Sequence, residues 1–214
     1  MKNLTQGSLK ALGWLAAIVA IALGVLRAGF VDVITVGHNG MAPTIVAGDQ
    51  VALWRGAEIE TGDVALCAHP GQQGRYVLAR VMARAGQRLN TERGQLSINS
   101  ERVLRDVHGT TRFYDSVNGH TSRYALSTER FGNNHHPTFD SERSPLVLRD
   151  QPVRAGLFML GDNRSYRGED SRTFGEVVEA TCKGVVFLRL VPAARPAVAD
   201  PGDELGHGWL DLIR

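Results

Sequence analysis

An uninterrupted apolar run, Ala11 to Leu26, bounded by Lys10 and Arg27, constrains this chain more than any other stretch. Sixteen helical residues reach about 24 Å, short of the roughly 30 Å of a hydrocarbon core. Extending the run to Phe30, with Lys10 and Arg27 stretching toward the interfaces, closes that gap. Trp14 and Phe30, near the two ends, suit interfacial positions. A buried core helix is disfavoured because the run has no polar face. A cleaved signal peptide competes, with Ala20-Ile21-Ala22 as a small-x-small site. The favoured expectation is one transmembrane anchor over 11–30. Residues 1–10 are then cytoplasmic, because Lys2 and Lys10 precede the span and Arg27 follows it.

After this segment the chain reads as mainly β. Val31, Val33, Ile34 and Val36 form a short alternating run. Asp49 to Trp54, Val64 to Ala68 and Tyr76 to Met82 are further strands between turns rich in Gly, Asp and Pro. From about residue 90 to 153 the sequence becomes polar and turn-rich. It carries one hairpin strand at Gln95–Asn99 and a weaker one at Tyr124–Leu126, which predicts a partly mobile β insertion. Strands resume at Gly156–Leu160 and Gly184–Leu190. The expected organisation is one extracytoplasmic domain over 31–192 and a flexible tail over 193–214. Trp209 to Ile213 could turn against a membrane or against the domain, and the sequence leaves the two open.

A formal net charge of +2 over 214 residues gives no ground for a nucleic-acid partner. Only three of the 24 basic residues are lysines: Lys2, Lys10 and Lys183. That matters for mechanism, because lysine can be tuned into a neutral base and arginine cannot. Cys67 and Cys182 fit no zinc spacing. Both lie in apolar, strand-like runs, so two separately buried thiols are expected ahead of a disulfide, which an oxidising compartment would allow. His120, His135 and His136 have no carboxylate or cysteine at ligand spacing and read as a solvated loop. No metal and no cofactor are expected.

Two stretches look functional. Gly37-His-Asn-Gly-Met-Ala-Pro-Thr-Ile45 has two glycines within four residues, a rigid Pro43 and an exposed-looking Met41, which make a shaped loop at a strand end. Further on, a strand ending Gly161-Asp162-Asn163-Arg164 is followed by Asp170-Ser171-Arg172. Asp162, Arg164, Asp170 and Arg172 can pair with one another and with Arg80, since Arg–carboxylate pairs hold loops in register. These groups read as a charge scaffold that positions a site without doing its chemistry.

Gly40-Met41-Ala42-Pro43-Thr44, the strand Tyr76 to Gly86, and Phe158 to Arg164 with Asp170-Ser171-Arg172 together resemble the type I signal peptidases. These are membrane-anchored serine peptidases that remove signal peptides from exported proteins. The resemblance covers roughly Val31 to Leu190. It implies a signal-peptidase-like β domain held at the inner (cytoplasmic) membrane by a single pass, with signal peptides or preproteins and membrane lipid as partners. In that family the loop serine is the nucleophile, and a lysine on the neighbouring strand is its base. An apolar surrounding lowers the lysine pKa enough for that role. At those two positions this chain carries Gly40 and Ala79. His38 stands where the family has a small hydroxyl donor to the oxyanion, so His38 and Gly40 make up the oxyanion region. The segment Ser165 to Glu169 is one residue longer than the family's. The implied groove takes an extended peptide as an added strand. It lies between Val33, Ile34, Val36 and Met41 on one side and Tyr76, Val77 and Leu78 on the other.

Three readings compete. The first is a family member that binds signal peptides but is catalytically impaired or inactive. The second is an active signal-peptide-cleaving endopeptidase with a non-standard site. The third is a structural or assembly module of the cell envelope, with envelope proteins as partners. Thr44 matches the family's own structural threonine, and no pattern arranges His38 as a base for water. Two missing members of one catalytic pair favour the first reading.

Overall fold

The computed structural model describes residues 6–132, 134–141, 145–193 and 210–213. Helix α1, Gln6–Gly29, has 24 residues, about 36 Å at the helical rise. Its side chains at Leu12, Trp14, Leu15, Ile18, Val19 and Ile21 are exposed. Among the described residues no helix is long and apolar enough to cross a membrane. The anchor expected over 11–30 therefore stands on the sequence alone. Residues 1–5 of the expected cytoplasmic stretch lie outside the described residues.

The remainder is mainly β. The first strands are β1 Val31–Thr35, β2 Gln50–Trp54, β3 Val64–Ala68, β4 Tyr76–Arg84, β5 Arg88–Glu92, β6 Gln95–Ile98 and β7 Glu101–Arg102. Next come β8 Leu104–Asp115, β9 His120–Phe131, β10 Asn134–Asp140, β11 Gln151–Pro152 and β12 Leu157–Leu160. The one-turn helix α2, Ser171–Phe174, precedes β13 Cys182–Val191 and β14 Asp211–Leu212. The main sheet runs β1-β2-β13-β3-β4-β12, with β14 beside β13.

Side-chain alternation along β12 divides its apolar run between two cores. Leu157 and Met159 pack with Val77, Ala79, Val81, Leu53 and Ile45. Phe158 and Leu160 pack with Met82, Leu89, Leu96, Ile98 and Val153. Strand β4 serves both cores and is buried from Val77 to Ala83. This is why it reads as continuous apolar sequence, as a strand covered on both faces does.

The insertion is more regular than its sequence suggests. It contains a four-stranded sheet, β11-β5-β6-β7, and a three-stranded sheet, β10-β9-β8. The long β8–β9 hairpin escaped the sequence reading because β8 is exposed along most of its length, so no apolar periodicity marks it. Asp115 closes the hairpin turn by accepting from the backbone N–H groups of Val117 and Asn118 at 2.9 and 3.1 Å. Phe113, Tyr124 and Phe139 then form an aromatic cluster, with centroids 5.1 to 6.4 Å apart. This cluster packs under Ala42 and Val46 as a third core.

Charge holds the two sheets together where β10 meets the end of β12. The Phe139 N–H donates to Asp162 O at 2.9 Å, and the Arg164 N–H donates to Phe139 O at 2.7 Å. Arg164, fully buried, donates to Glu129 on β9 at 2.6 Å. His136 is buried in this cluster, 3.5 Å from Glu129 and 3.9 Å from Asp162. The solvated-loop expectation is thus corrected for His136. Strand alternation turns His136 inward and leaves His135 exposed. Burial, reinforced by the Arg80 guanidinium, pushes the His136 imidazole below its ordinary value. Burial alone would raise the Glu129 and Asp162 carboxyls, but Arg164 and Arg80 respectively hold both below the usual range.

Two further expectations are corrected by β13. Cys67 and Cys182 sit directly opposite each other on β3 and β13 and form a disulfide, in place of two free thiols. The end of the tail is not loose, because β14 pairs with β13 through Leu188–Leu212 and Arg189–Asp211. Arg189, almost wholly buried, contacts Asp49 at 3.1 Å and Asp211 at 2.9 Å, and Ile213 is buried in the main core. Residues 194–209 of the expected tail lie outside the described residues.

Replacing both cysteines by alanine is expected to lower the unfolding free energy by about 2–4 kcal/mol, the usual effect of a bridge closing a long loop. Urea titration of the two proteins measures it. The cluster around His136 sets a pH dependence. Its folded pKa lies below the unfolded value of about 6.5, so the unfolded chain binds the extra proton and stability falls as pH drops below that value. One proton contributes at most about 1.4 kcal/mol per pH unit. The stabilisation from Asp162 and Glu129 is lost only lower, below about pH 4, as pH falls through their depressed values. His136→Gln should flatten the limb between about pH 6.5 and 4, and an unchanged slope would remove His136 as its source.

Candidate functional site

The loop after β1 is tied down by its backbone. The Val36 N–H donates to Asp49 O at 2.9 Å, the Gly48 N–H returns to Val36 O at 2.8 Å, and the Ile45 N–H donates to Met41 O at 2.9 Å. Met41, Ala42, Ile45 and Val46 are buried, so Met41 anchors the loop in the core and is not exposed as the sequence suggested. The Asn39 side chain is a second tie. Its amide donates to Asp115 at 2.7 Å, and its carbonyl accepts the Ala47 N–H at 2.8 Å. Asn39 carries no sequence signal, because its partners Ala47 and Asp115 lie 8 and 76 residues away and no local pattern records such a pairing.

The loop meets the end of β12 at close range. The Asn163 N–H donates to Gly40 O at 3.1 Å. A Cβ on Gly161 would fall 2.4 Å from that same carbonyl oxygen, so glycine is required there. Below this contact Asp162 accepts two bonds from Arg80, at 2.9 and 2.7 Å, and one from the Thr44 hydroxyl. Arg80 also donates to Gly62 O at 2.7 Å. Asp170 caps α2 and accepts from the Gly161 N–H at 3.1 Å and from Arg172. Ser171 accepts the Met159 N–H at 2.9 Å. Of the four charges on these blocks, Arg164 pairs with neither acid, because its partner is Glu129. The Thr44 hydroxyl is committed to Asp162.

Gly40 and His38 form one unit. The Gly40 N–H donates to His38 Nδ1 at 3.1 Å. A Cβ built on Gly40 would lie 2.9 Å from Nδ1 and 3.1 Å from Cε1 of the same ring. The imidazole therefore crowds the place where a residue-40 side chain would begin, and it occupies the N–H beside it. The ring stacks on Tyr166, centroids 6.1 Å apart. Burial lowers the His38 pKa, Glu169 opposes that shift, and Arg75 adds to it. Arg75 and Glu169 are themselves an ion pair. Because Nδ1 accepts the Gly40 N–H, the hydrogen-bond pattern puts the proton of neutral His38 on Nε2. The lone pair a base would need is engaged. Burial and the Asp115 carboxylate together raise the Tyr166 phenol.

Ala79 lies fully buried on β4, opposite Ala65 of β3, in the same core as Met41. On its other side β12 pairs with β4 only from Arg80 onward. Among the described residues, Tyr76–Ala79 therefore has no strand on that edge, and β1 pairs only with β2. Of the expected groove residues, Val36, Met41, Val77 and Leu78 are core, and Ile34 packs against them. Val33 is half-buried. Tyr76 is exposed, with Lys183 Nζ 3.9 Å from its ring centre. A peptide would meet backbone edges here before it met those buried side chains. Among the described residues no group of three or more His, Cys, Asp or Glu is arranged to hold a metal.

Comparison with curated proteins gives no match. The family model for signal peptidase, peptidase S26, does match, over residues 9–191, a span from α1 to the last residue of β13. That span includes the Gly40 loop, β4 and the charged blocks after β12, and the chain belongs to the signal peptidase family, peptidase S26.

Proposed function

We propose that this family member is a membrane-anchored binder of the signal peptides of exported preproteins, with cleavage impaired or lost. The observation that carries the reading is at residue 40. The position matching the family's serine has no side chain, and its N–H is held by His38 at 3.1 Å. At the position matching the base, Ala79 offers no titratable group. Removing one member of a nucleophile–base pair costs orders of magnitude in rate, and removing the second costs little more. An engaged N–H also weakens what an oxyanion donor alone could contribute.

Binding does not need those groups. The edge of Tyr76–Ala79, which among the described residues has no strand beside it, and the side of Val33–Thr35 away from β2 supply backbone for strand addition, in which main-chain hydrogen bonds give affinity. The anchor in the inner membrane rests on the uncharged run Ala11 to Leu26 of the sequence. Phe30 stacks on Trp54, 5.9 Å apart and both exposed, and the pair extends that apolar surface onto the sheet. The Cys67–Cys182 bridge fits an extracytoplasmic, oxidising side.

The test uses the purified full chain in detergent. The wild-type chain should crosslink to a non-cleavable signal peptide and leave a preprotein intact. The triple variant His38→Ser, Gly40→Ser, Ala79→Lys should cleave after Ala-x-Ala. The double variant that keeps His38 should be slower by about tenfold or more, a difference of 1.4 kcal/mol or more in barrier. Wild-type cleavage as fast as the triple variant would sink the reading, and failure to crosslink would favour the structural-module alternative.

A further inference from the structure

One hydrogen bond in the Gly40 loop can exist in only one protonation state. The Gly40 N–H donates to His38 Nδ1 at 3.1 Å, so that nitrogen has to offer a lone pair. A neutral imidazole with its proton on Nε2 does so. An imidazolium carries hydrogen on both nitrogens and does not. One added proton therefore turns the acceptor into a donor that faces the Gly40 N–H at hydrogen-bond distance. The contact becomes repulsive, and the half-buried ring has to rotate away from residue 40.

The groups around the ring bear on that proton. From the loop after β12, Tyr166 stacks on the imidazole and the Glu169 carboxylate favours its charged form. From the turn before β4, the Arg75 guanidinium opposes the charge, and it is itself paired with Glu169. From the β8–β9 turn, Asp115 acts on Tyr166, but its oxygens are taken by Asn39, Val117 and Asn118. Burial outweighs Glu169 and holds His38 below its ordinary value, so the ring is neutral at neutral pH and gains its proton in mild acid. Glu169 is then the carboxylate that attracts the imidazolium. Its Cβ lies 3.5 Å from the point where a Gly40 Cβ would stand, and its partner Arg75 directly precedes β4. The N–H that the ring gives up is thus at the Tyr76 end of the β4 edge.

We propose that His38 is a proton-operated latch on the peptide site. In its neutral form it holds the Gly40 N–H, and on protonation it swings off and leaves that N–H to donate to a backbone carbonyl of a bound signal peptide. The ligand rests on the function proposed above, whereas the latch rests on the contact between His38 and Gly40. Because the peptide takes the N–H that only protonated His38 releases, binding takes up a proton and tightens as pH falls.

Fluorescence anisotropy tests this with the full chain in detergent micelles and a labelled, N-acetylated, histidine-free signal peptide. The range is about pH 7.5 to 5, in which histidine titrates. Wild-type affinity should rise about two- to tenfold as pH falls, the effect of one hydrogen bond gained. His38→Ala, with no ring to hold the N–H, should bind at the low-pH strength throughout. His38→Asn, whose side-chain oxygen keeps the N–H engaged at every pH, should bind at the high-pH strength throughout. A wild-type affinity that does not rise, or a rise shared by both His38 variants, overturns the proposal. The latch is also read by NMR without any peptide. Joint isotope labelling of asparagine carbonyls and glycine nitrogens selects only Asn39–Gly40 and Asn118–Gly119 in this sequence. The Gly40 amide should shift with a single titration, while the Gly119 amide, bonded to Asp115 O, stays in place. A Gly40 amide that does not titrate overturns the latch. If Gly40 titrates but no peptide binds at any pH, the latch stands and the function proposed above fails.

Discussion

A bidentate ion pair with neither side chain exposed, Arg80 to Asp162, fixes the relation between the parts of this molecule. Such a pair is not in itself strongly stabilising, because both charges have left water. Its importance lies in what it determines. Removing one partner strands the other and typically costs about 3–5 kcal/mol. Asp162 also takes the Thr44 hydroxyl, and its carbonyl takes the Phe139 N–H. One residue thereby joins β4, the Gly40 loop and the insertion. Arg189 repeats this on the other side of the loop, bonding Asp49 and the Thr44 carbonyl.

With the loop held from both sides, its chemistry depends on very few atoms. Position 40 presents a carbonyl to Asn163 and an N–H to His38, and both are taken within the chain. The loop keeps its shape through the backbone and through Asn39, neither of which needs a nucleophile. Holding the loop in shape and doing chemistry at it are separate requirements, as they are wherever a site is grafted on a scaffold.

The sequence made some of this legible. Short apolar runs ended by Gly and Asp located β2, β3, β4, β12 and β13, and the charged blocks located the scaffold loop. Contacts made at long range by residues with no pattern of their own leave no trace in the sequence. Glu129 is an ordinary polar residue of a hairpin strand until Arg164, 35 residues away, becomes its partner. His136 differs from His135 only in the face of β10 on which it falls. The cysteines, 115 residues apart, become neighbours only once β13 is threaded between β2 and β3. The sequence leaves Trp209–Ile213 open between membrane and domain because a two-residue strand is too short to carry periodicity.

The crowding at residue 40 also bears on how such a site changes over generations. His38 in this rotamer and any side chain at position 40 exclude each other, since Cβ and Nδ1 would stand 2.9 Å apart. A side chain at 40 is accommodated only if the imidazole turns to another rotamer. A serine placed at 40 alone meets the ring and finds no base at Ala79, while a change at 38 alone frees an N–H with no nucleophile beside it. Under the function proposed above, no single codon change restores cleavage, because positions 38, 40 and 79 have to change together.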